Sequence, residues 1–414
     1  MSTDAPRAAG HAATAADAVQ GFVAPGFEAV SRQLAQLVAE NADYSAQFCA
    51  YADGRTVVDI WSGPDAEENS VQGIFSATKG VVGVCAALLI ERGLLDPDKE
   101  MSHYWPEFAQ RGKGSVTVRT ALSHRAGIPG VEPQVTHDQL MDHGYMAARL
   151  AAQTPHWHPG AAHGYHGLTI GTLVDELVRR IDGRTLDRFY REEIGAPRDI
   201  DVFIATPEDQ EPRVRDVLPQ QPTAGQAAAM QGSPLRQSGD TLPGMAFNLA
   251  VNDPLAELMP NVRRYRAAGQ PSAGGVGSAR GLARLYASLI SEVDGMPRLL
   301  SSETVATVSQ LHSVGLDMVL CLPTRFGIVF QKPDPTRMLC GSHQSFGHDG
   351  AGGAIGIADP WHSLGWGYVP RRMSTPGGAD ERGLALAGTL RQCLAEQRAC
   401  PPSPRTRQPS APGT

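Results

Sequence analysis

The stretch Ser76-Ala77-Thr78-Lys79 opens a long apolar run in this 414-residue chain. Apolar residues continue to Ile90, so the pattern predicts a buried helix that begins at Ser76 and ends near Arg92. Residues three apart on a helix share a face, which brings the amine of Lys79 next to the hydroxyl of Ser76. A lysine in that place can take the serine proton, and the serine then attacks a carbonyl carbon as a covalent nucleophile.

A second interpretation of these four residues involves no chemistry. Serine is a favoured cap residue at a helix start, and Lys79 would then be a solvated surface residue. A serine and a lysine at this spacing also occur together by chance, so the short pattern is weak by itself. The chemical interpretation therefore depends on motifs elsewhere in the chain.

Composition and charge exclude several classes of protein. The net charge is −7 and the Lys and Arg residues are scattered, so we predict no nucleic-acid partner. Residues 1–20 are rich in alanine and polar residues and lack the apolar centre of a secretory signal, which predicts a cytoplasmic protein. No uninterrupted apolar stretch approaches the roughly 18 residues of a membrane span, so we predict no membrane partner.

Cysteine and histidine spacing gives no sign of a disulfide framework or a metal site. Six cysteines occur, at Cys49, Cys85, Cys321, Cys340, Cys393 and Cys400. They are widely spaced and form no CxxC pair, so we expect reduced thiols that are mostly buried. Four histidines lie close together in the sequence, at His156, His158, His163 and His166. Their spacing matches no recognised zinc site, so we predict neither a metal nor another cofactor.

Strand patterns occur at both ends of the chain. After an amphipathic helix at 27–38, the runs 44–51 and 56–61 form a predicted hairpin around the turn Asp53-Gly54. Strand character returns near the C-terminus, before a last helix. The segments predicted there are strands at 325–331, 354–358 and 364–369 and a helix at 380–397.

The middle of the chain, about 94–324, has helical patterns joined by glycine- and proline-rich loops. The clearest helices are predicted at 168–181 and 281–290. Residues 207–243 have little periodicity and predict an irregular excursion, of a kind that often shapes a binding site.

Strands at both ends and helices between them predict an α+β fold, an α/β sandwich. The N- and C-terminal segments would build one antiparallel sheet that is flanked by helices, with a mostly helical region inserted. The expected division is a flexible N-terminus at 1–20, a sheet region formed by 21–80 and 325–398, a helical insert at 81–324 and a disordered tail at 399–414.

Two further motifs follow the Ser-x-x-Lys motif. Residues 159–167 form a loop that leads into an apolar helix, with Tyr165 near its start, and residues 346–353 open a terminal strand. In this order the motifs resemble those of the serine β-lactamase and penicillin-binding protein superfamily, in particular the class C β-lactamase-like branch that includes the family VIII carboxylesterases. Tyr165 matches the tyrosine of its Tyr-x-Asn motif, and His348 and Gly350 match the ends of its Lys/His-Thr/Ser-Gly motif. Loops at 122–130 and 272–275 add to the resemblance, which covers about residues 25–398.

The resemblance implies a role for each matched residue. Ser76 is the nucleophile, Lys79 is a base that burial keeps neutral, and Tyr165 passes a proton to the leaving group. The backbone amides of Ser76 and Ala351 form the oxyanion hole. The residues implied for substrate binding are His348, Asp349 and Gly350.

Simpler roles stay open for several of these residues. Tyr165 can be a half-buried packing residue, and His348 with its neighbouring glycines can be no more than the entry to a strand. The histidines interpreted as structural rather than catalytic are His124, His163 and His166.

Departures from the family pattern bear on the substrate. Gly167 stands where β-lactamases carry the asparagine that contacts the amide side chain of penicillins. Asp349 replaces the usual hydroxyl residue and His348 replaces lysine, which weakens recognition of a substrate carboxylate. A neutral ester is therefore expected rather than a β-lactam. The Gly-x-Ser-x-Gly elbow of α/β-hydrolases does not occur in the sequence.

The predicted function is that of a serine esterase or acyltransferase that forms an acyl-Ser76 intermediate on a small-molecule ester. Water would complete hydrolysis, whereas an alcohol or amine acceptor would complete transfer. The main alternative is a transacylase for ester exchange or ester-to-amide conversion in secondary-metabolite biosynthesis. A β-lactamase, a D-aminopeptidase and a non-catalytic ligand sensor are further alternatives.

Overall fold

The computed structural model describes residues 19–41, 43–64, 66–233, 240–249, 256–334, 338 and 340–399. Its strands are β1 Val19–Val23, β2 Ala46–Ala52, β3 Arg55–Ser62, β4 Gln72–Gly73, β5 Val202–Phe203, β6 Val276–Gly277, β7 Ser313–Leu316, β8 Pro323–Phe326, β9 Phe346–Asp349, β10 Ile355–Asp359 and β11 Leu364–Pro370.

Helices fill most of the region between β4 and β7 and also cover both faces of the sheet. They are α1 Glu28–Glu40, α2 Ala77–Glu91, α3 Met101–Tyr104, α4 Val118–Thr120, α5 His137–Met141, α6 His143–Ala152, α7 Thr169–Asp182, α8 Leu186–Tyr190, α9 Ala224–Gln231, α10 Leu242–Ala246, α11 Arg263–Ala268, α12 Ala279–Ile290, α13 Ser302–Ser309 and α14 Glu381–Ala399. Short 3₁₀ or π turns lie at Pro106–Ala109, Ala121–Arg125, Arg191–Gly195, Glu208–Arg213, Ala256–Asn261 and Pro360–His362.

The two ends of the chain form one six-stranded antiparallel sheet with the order β1-β3-β2-β11-β10-β9. The central pairing joins β2 to β11, with Cys49 opposite Gly367. A smaller antiparallel sheet has the order β4-β6-β5, and β7 and β8 form a hairpin. The predicted α+β fold, with its sheet built from both termini, is confirmed.

Helices pack on both faces of the large sheet. α1 and α14 cover one face, and α12 covers the other, where α2 packs against β9 and β10. The layer under α1 and α14 is largely apolar and includes Val30, Leu34, Phe48, Ile60, Trp366, Leu386 and Leu390. The second layer extends from α12 and α2 into the helical region, so α2 lies at the centre of the larger core.

Helix α2 is buried nearly all the way round. Every residue from Ala77 to Leu89 is buried, as expected for a helix that is apolar on all faces. Gly93 follows the helix with a φ of +67°, the left-handed conformation in which a glycine ends a helix without strain. The helix predicted from the apolar run is confirmed, and so are the predicted hairpin and the helices α1, α7, α12 and α14.

The strand predicted at 325–331 is wrong beyond Phe326. The chain bends at 327–329, where Val329 has a φ of +66° and its N–H donates to the carbonyl oxygen of Leu122 at 2.7 Å. Tertiary contact with the helical region thus overrides the local preference of an apolar, β-branched run for a strand. The bend places Gln331 beside β9, where the two residues Gln331 and Gly347 pair.

Two further elements differ from the prediction. The 207–243 excursion is less irregular than expected, because Thr223 and Gln226 form a reciprocal capping box that begins α9. β1 begins at Val19, inside the segment predicted to be flexible, while residues 1–18 and 400–414 lie outside the described part of the chain.

None of the described helices combines the length and the apolar character that crossing a lipid bilayer requires. The five described cysteines carry free thiols, and all except Cys321 are buried; Cys400 lies outside the described residues.

The β9–β10 turn lies directly against the start of α2. A Cβ atom at Gly350 would come within 2.1 Å of the carbonyl oxygen of Ile74 and 3.2 Å of the amide nitrogen of Ala77. One at Gly352 would come within 2.8 Å of the Phe75 ring. Only glycine permits this approach, which fixes the turn beside Ser76.

Replacement of Gly350 by alanine should therefore destabilise the fold. The added methyl group has to displace the Ile74 carbonyl, and overpacking of this kind costs about 1–3 kcal/mol. Urea unfolding of Gly350→Ala measures the loss. The matched control is Gly388→Ala on the exposed face of α14, where a Cβ meets no atom and alanine should stabilise the helix by up to about 1 kcal/mol. Equal stability of Gly350→Ala and the parent protein would contradict the close approach.

Candidate active site

Ser76 and Lys79 meet at the start of α2. The Nζ atom of Lys79 donates to the Oγ atom of Ser76 at 2.8 Å. Ser76 stands at the N-cap position, but its side chain makes no capping hydrogen bond. Lys79 is fully buried, so the interpretation of these residues as a helix cap and a solvated lysine is wrong.

The environment of Lys79 favours the neutral amine. Burial lowers the pKa of Lys79 to about 7, and the carboxylate of Asp349 opposes this shift. A second hydrogen bond runs from Nζ to the carbonyl oxygen of Ser272 at 2.8 Å, and this contact fixes the position of the amine. A neutral amine at hydrogen-bond distance from a hydroxyl can accept its proton.

Tyr165 lies beside this pair. Its ring centroid is 4.9 Å from Nζ of Lys79, and the residue is only 5 % exposed. The ring stacks on Phe326 at a centroid distance of 6.0 Å. Tyr165 lies in the loop that precedes α7, four residues before the helix begins at Thr169. The structure therefore brings the three sequence-predicted catalytic side chains together.

Three consecutive backbone amides hold the loop that carries Tyr165. The N–H of Gly164 donates to the carbonyl oxygen of His124 at 3.0 Å, and the N–H of His166 donates to Nδ1 of His124 at 3.0 Å. Between them, the N–H of Tyr165 donates to Oδ1 of Asp317 at 3.0 Å. Both acceptor residues are fully buried. His124 and Asp317 thus fix the backbone on both sides of the phenol.

The histidines near Tyr165 contact backbone and side-chain groups of the protein. Burial, together with nearby His166, His348 and Lys79, keeps the pKa of His124 well below its usual value, so its Nδ1 remains an acceptor. Nδ1 of His166 contacts the carbonyl oxygen of Gly164 at 2.7 Å, and Nε2 of His163 contacts the hydroxyl of Thr324 at 3.0 Å.

No three His, Cys, Asp or Glu side chains in the described part of the chain come together as a possible metal site.

Two backbone amides form a candidate site for negative charge. The amides of Ser76 and Ala351 donate no hydrogen bond to any acceptor among the described residues. Both residues line the same cavity, and the close approach of Gly350 to the start of α2 holds them next to each other. Paired N–H groups of this kind can stabilise a developing oxyanion.

The three residues predicted to bind substrate have different positions. Asp349 lines the cavity, and its Oδ2 accepts a hydrogen bond from the N–H of Ala379 at 2.5 Å. His348 is fully buried behind it, where its Nδ1 donates to the carbonyl oxygen of Asp349 at 2.7 Å. Gly350 is buried against Ile74. Of the three, only Asp349 borders the space that a substrate can enter.

Steric crowding explains why the residue at position 167 is a glycine. A Cβ atom there would lie 2.6 Å from the carbonyl oxygen of Ala246 and 3.0 Å from the ring of Phe247. The α10 segment therefore fills the place of an asparagine side chain, and Phe247 lines the cavity instead. This wall is apolar where the family pattern has an amide.

A cavity of about 650 Å³ opens over Ser76 and Tyr165. Apolar and small residues form most of its wall, including Ala229, Met230, Phe247, Leu320, Leu322, Ala351, Pro376, Gly377 and Gly378. Gln226, Ala229, Met230 and Ser233 come from the 207–243 excursion. The described part of this segment therefore borders the cavity, and its role in binding stays a prediction.

The family that the sequence matches is consistent with this site geometry. The family model described as Beta-lactamase matches residues 30–390, most of the chain. The chain belongs to the beta-lactamase family. The resemblance inferred from the three motifs is thereby confirmed.

Relatives within this family share most of the chain. Esterase/beta-lactamase LipL of Mycobacterium tuberculosis (strain ATCC 25618 / H37Rv) is 32 % identical over 377 residues, which cover 86 % of this chain and 84 % of LipL. The structure of EstA from Arthrobacter nitroguajacolicus Rue61a is 41 % identical, with a TM-score of 0.83, and the match covers 91 % of this chain and 98 % of EstA. A crystal structure of a family VIII carboxylesterase is 30 % identical, with a TM-score of 0.80 and coverage of 91 % and 99 %.

Two residues that organise this beta-lactamase-family site were not identified from the sequence. Asp317 accepts hydrogen bonds from the amides of Val319 and Leu320, both at 2.8 Å, so it forms a local turn that the sequence pattern can indicate. Its bond to Tyr165, 152 residues away, carries no local signal. Ser272 lies in a loop that the sequence pointed to, but its contact is made by a backbone carbonyl, which every residue has.

Burial of Lys79 should cost folding free energy at neutral pH. Its pKa in the folded protein, about 7, lies below the ordinary 10.5, so the cost is fully present below pH 7 and fades as the pH rises towards 10.5. Lys79→Met keeps the side-chain length and should raise the free energy of unfolding by about 2 kcal/mol at pH 7, with a smaller gain at about pH 10.

Denaturant unfolding at both pH values measures this effect. Exposed Lys99 is the matched control, and Lys99→Met should change the free energy of unfolding little at either pH. A gain for Lys79→Met that is absent at pH 7, or that grows with pH, would show that the buried amine carries no such cost.

Proposed function

We propose that the protein is a serine ester hydrolase that works through an acyl-Ser76 intermediate. The observation that supports this most directly is the buried amine of Lys79, whose pKa is lowered to about 7, at 2.8 Å from the Ser76 hydroxyl in the wall of a 650 Å³ cavity. EstA and the family VIII carboxylesterase, which cover nearly the whole chain, support an ester rather than another acyl substrate.

In the acylation step, Lys79 takes the proton of Ser76 as Oγ attacks the ester carbonyl carbon. The amides of Ser76 and Ala351 hold the oxyanion of the tetrahedral intermediate. The C–O bond to the alcohol then breaks as Tyr165 passes its proton to the departing oxygen. Lys79 gives Tyr165 the proton that it took from Ser76. The alcohol leaves, and the acyl group stays on Ser76.

In the second step, water enters the space that the alcohol has left. Lys79 and Tyr165 take its proton as the water oxygen attacks the acyl carbon, and the same two amides hold the oxyanion. Collapse of this intermediate returns the proton to Ser76 and releases the carboxylic acid. The enzyme ends in the protonation state in which it began.

The cavity favours a neutral, largely apolar ester. Most of its wall is apolar, so an aliphatic or aromatic group is buried favourably there. The carboxylate of Asp349 in the same wall repels an anionic group on the substrate. With Gly167 packed against Phe247, the site lacks an amide that would bind the side chain of a penicillin.

Transfer of the acyl group to an alcohol or amine is the second candidate. It requires the same acyl-enzyme and differs only in the nucleophile that releases the acyl group. A cavity of about 650 Å³ supports it, because this volume holds an acyl chain and a small acceptor together.

Intact-protein mass spectrometry with 4-nitrophenyl butyrate should show one butyryl group added to the protein. Ser76→Ala should lose both the adduct and turnover, because it removes the attacking oxygen and little volume. Tyr165→Phe should lower turnover by about 100-fold or more, as expected for loss of a proton donor, while the fold is kept. Turnover that survives in Ser76→Ala would end the proposal. Addition of an alcohol or amine during the reaction separates hydrolysis from transfer by the product formed.

The dependence of kcat/KM on pH should report the state of Lys79. Because the neutral amine is the active form, kcat/KM should rise with pH through an apparent pKa of about 7. Asp349→Asn removes a carboxylate that favours the charged amine, so this rise should move to lower pH. Asp53→Asn, in the exposed β2–β3 turn, is the control and should leave the profile in place. A shift to higher pH in Asp349→Asn contradicts the assignment of Lys79.

A further inference from the structure

The acceptor that fixes the catalytic amine belongs to a backbone peptide unit. Nζ of Lys79 donates to the carbonyl oxygen of Ser272 at 2.8 Å. That oxygen is part of the peptide unit between Ser272 and Ala273, which is trans. Because a peptide unit is planar, the C=O and the N–H of a trans unit point in opposite directions. The group that holds the N–H of Ala273 therefore also aims the carbonyl at Lys79.

The side chain of Gln270 holds that N–H. Gln270 follows α11 and the left-handed Gly269 that ends the helix. Its Oε1 accepts hydrogen bonds from the N–H of Ala273 at 2.8 Å and from the N–H of Ser272 at 2.7 Å. A backbone N–H can only donate, so the amide oxygen of Gln270 has to face these groups and Nε2 has to face away. One side-chain oxygen thus orients two consecutive peptide units.

The other end of the same side chain contacts the segment that follows Tyr165. Nε2 of Gln270 donates to the carbonyl oxygen of Leu168 at 3.1 Å, and Oγ of Ser272 donates to the same oxygen at 3.0 Å. Leu168 is the N-cap residue of α7 and lies three residues after Tyr165. The turn formed by residues 270–273 is therefore tied both to the catalytic amine and to the loop that carries the phenol.

Burial keeps Gln270 away from substrate. Gln270, Ser272 and Lys79 are all fully buried, and the described residues that line the catalytic cavity do not include them. An amide side chain neither gains nor loses a proton near neutral pH. Any effect of Gln270 on the reaction therefore has to pass through the groups that it holds.

We propose that Gln270 is a positioning residue that holds the Lys79 amine at its place beside the Ser76 hydroxyl. The inference rests on the proposed function, because the proton transfers of that mechanism are what the position of the amine controls. Without Oε1, the buried N–H of Ser272 loses its acceptor, and the N–H of Ala273 keeps only a longer contact to the backbone carbonyl of Gln270 at 3.2 Å. The carbonyl that holds the amine then loses its fixed direction, and proton transfer slows because it depends on the alignment of donor and acceptor.

The replacement Gln270→Met tests the proposal, because it keeps the side-chain length and removes both amide groups. With 4-nitrophenyl butyrate, the plateau of kcat/KM above its rise with pH should fall about tenfold or more, after subtraction of hydroxide hydrolysis. A carbonyl acceptor favours the charged amine, so displacement of the Ser272 carbonyl lowers the pKa of Lys79. The rise in kcat/KM should therefore move to lower pH by roughly half a unit or more.

The groups that can carry a charge or a proton near the amine stay in the chain in this variant. Asp349 in β9 raises the pKa of the catalytic lysine. The ring centroid of Tyr165 is 4.9 Å from Nζ, and the amine helps to lower the pKa of His124. His348 lies beyond the phenol, with the two ring centroids 6.1 Å apart. A shift of the profile in the variant thus reports the lost carbonyl contact.

A second replacement restores the oxygen alone. Gln270→Glu keeps an acceptor for the N–H groups of Ser272 and Ala273. Its plateau of kcat/KM should stay within about threefold of the parent value, and its rise should not move to lower pH.

The matched control is a buried glutamine elsewhere in the fold. Gln153 follows α6, accepts from the N–H of Glu132 at 3.0 Å and donates to the carbonyl oxygen of Thr154 at 3.1 Å. Gln153→Met should lower the free energy of unfolding, as Gln270→Met should, because both leave buried backbone groups without partners. Only Gln270→Met should also lower the plateau of kcat/KM and move the rise.

Two results would overturn the proposal. One is a Gln270→Met protein whose plateau and pH of rise match those of the parent. The other is a Gln270→Glu protein of parental stability whose plateau falls tenfold or more, and this measurement decides the question even where Gln270→Met does not fold. Failure of the proposed function looks different, because Ser76 of the parent protein would then carry no butyryl group by mass spectrometry.

Discussion

The burial of one amine is the constraint on which the site depends. Lys79 is fully buried, and its Nζ hydrogen-bonds to the Ser76 hydroxyl and the Ser272 carbonyl at 2.8 Å each. Burial disfavours the charged form and lowers the pKa of Lys79 to about 7, so much of the amine is neutral near pH 7. Helix α2 has to be apolar on all faces to provide this environment. The burial of this lysine thus goes together with the central place in the core of the helix that carries it.

Tyr165 gains its position from groups that are distant in sequence. His124 holds the amides on both sides of it, and Asp317 holds its own amide. His124 can accept from His166 only while it stays neutral, and burial ensures this by lowering its pKa. Burial thus favours the neutral form of both Lys79 and His124, and neutral His124 can accept the hydrogen bond that holds the loop. Burial therefore affects both the protonation of Lys79 and the loop that His124 holds.

The sequence predicted the parts of the fold that depend on local pattern. The apolar run predicted α2, and the turn residues predicted the β2–β3 hairpin. The order of the motifs predicted that Ser76, Lys79 and Tyr165 lie in one site. It failed where distant contacts decide: 325–331 has strand character, but the bond from Val329 to Leu122 bends it. Ser272 acts through its carbonyl and Asp317 through a bond across 152 residues, and neither contact leaves a local pattern. His348 matched a motif but lies behind the wall.

The pairing of β2 with β11 has a consequence for synthesis of the protein. Residues 46–52 leave the ribosome about 300 residues before their partners at 364–370, so the first hairpin waits for most of the chain. Until then, one edge of β2 and the apolar surface that later packs under α14 stay open to other chains, and closing so long a loop slows folding. The yield of folded protein should therefore depend on chaperones that protect the nascent chain. It should also depend on how quickly the ribosome completes the C-terminal segment that contains residues 364–370.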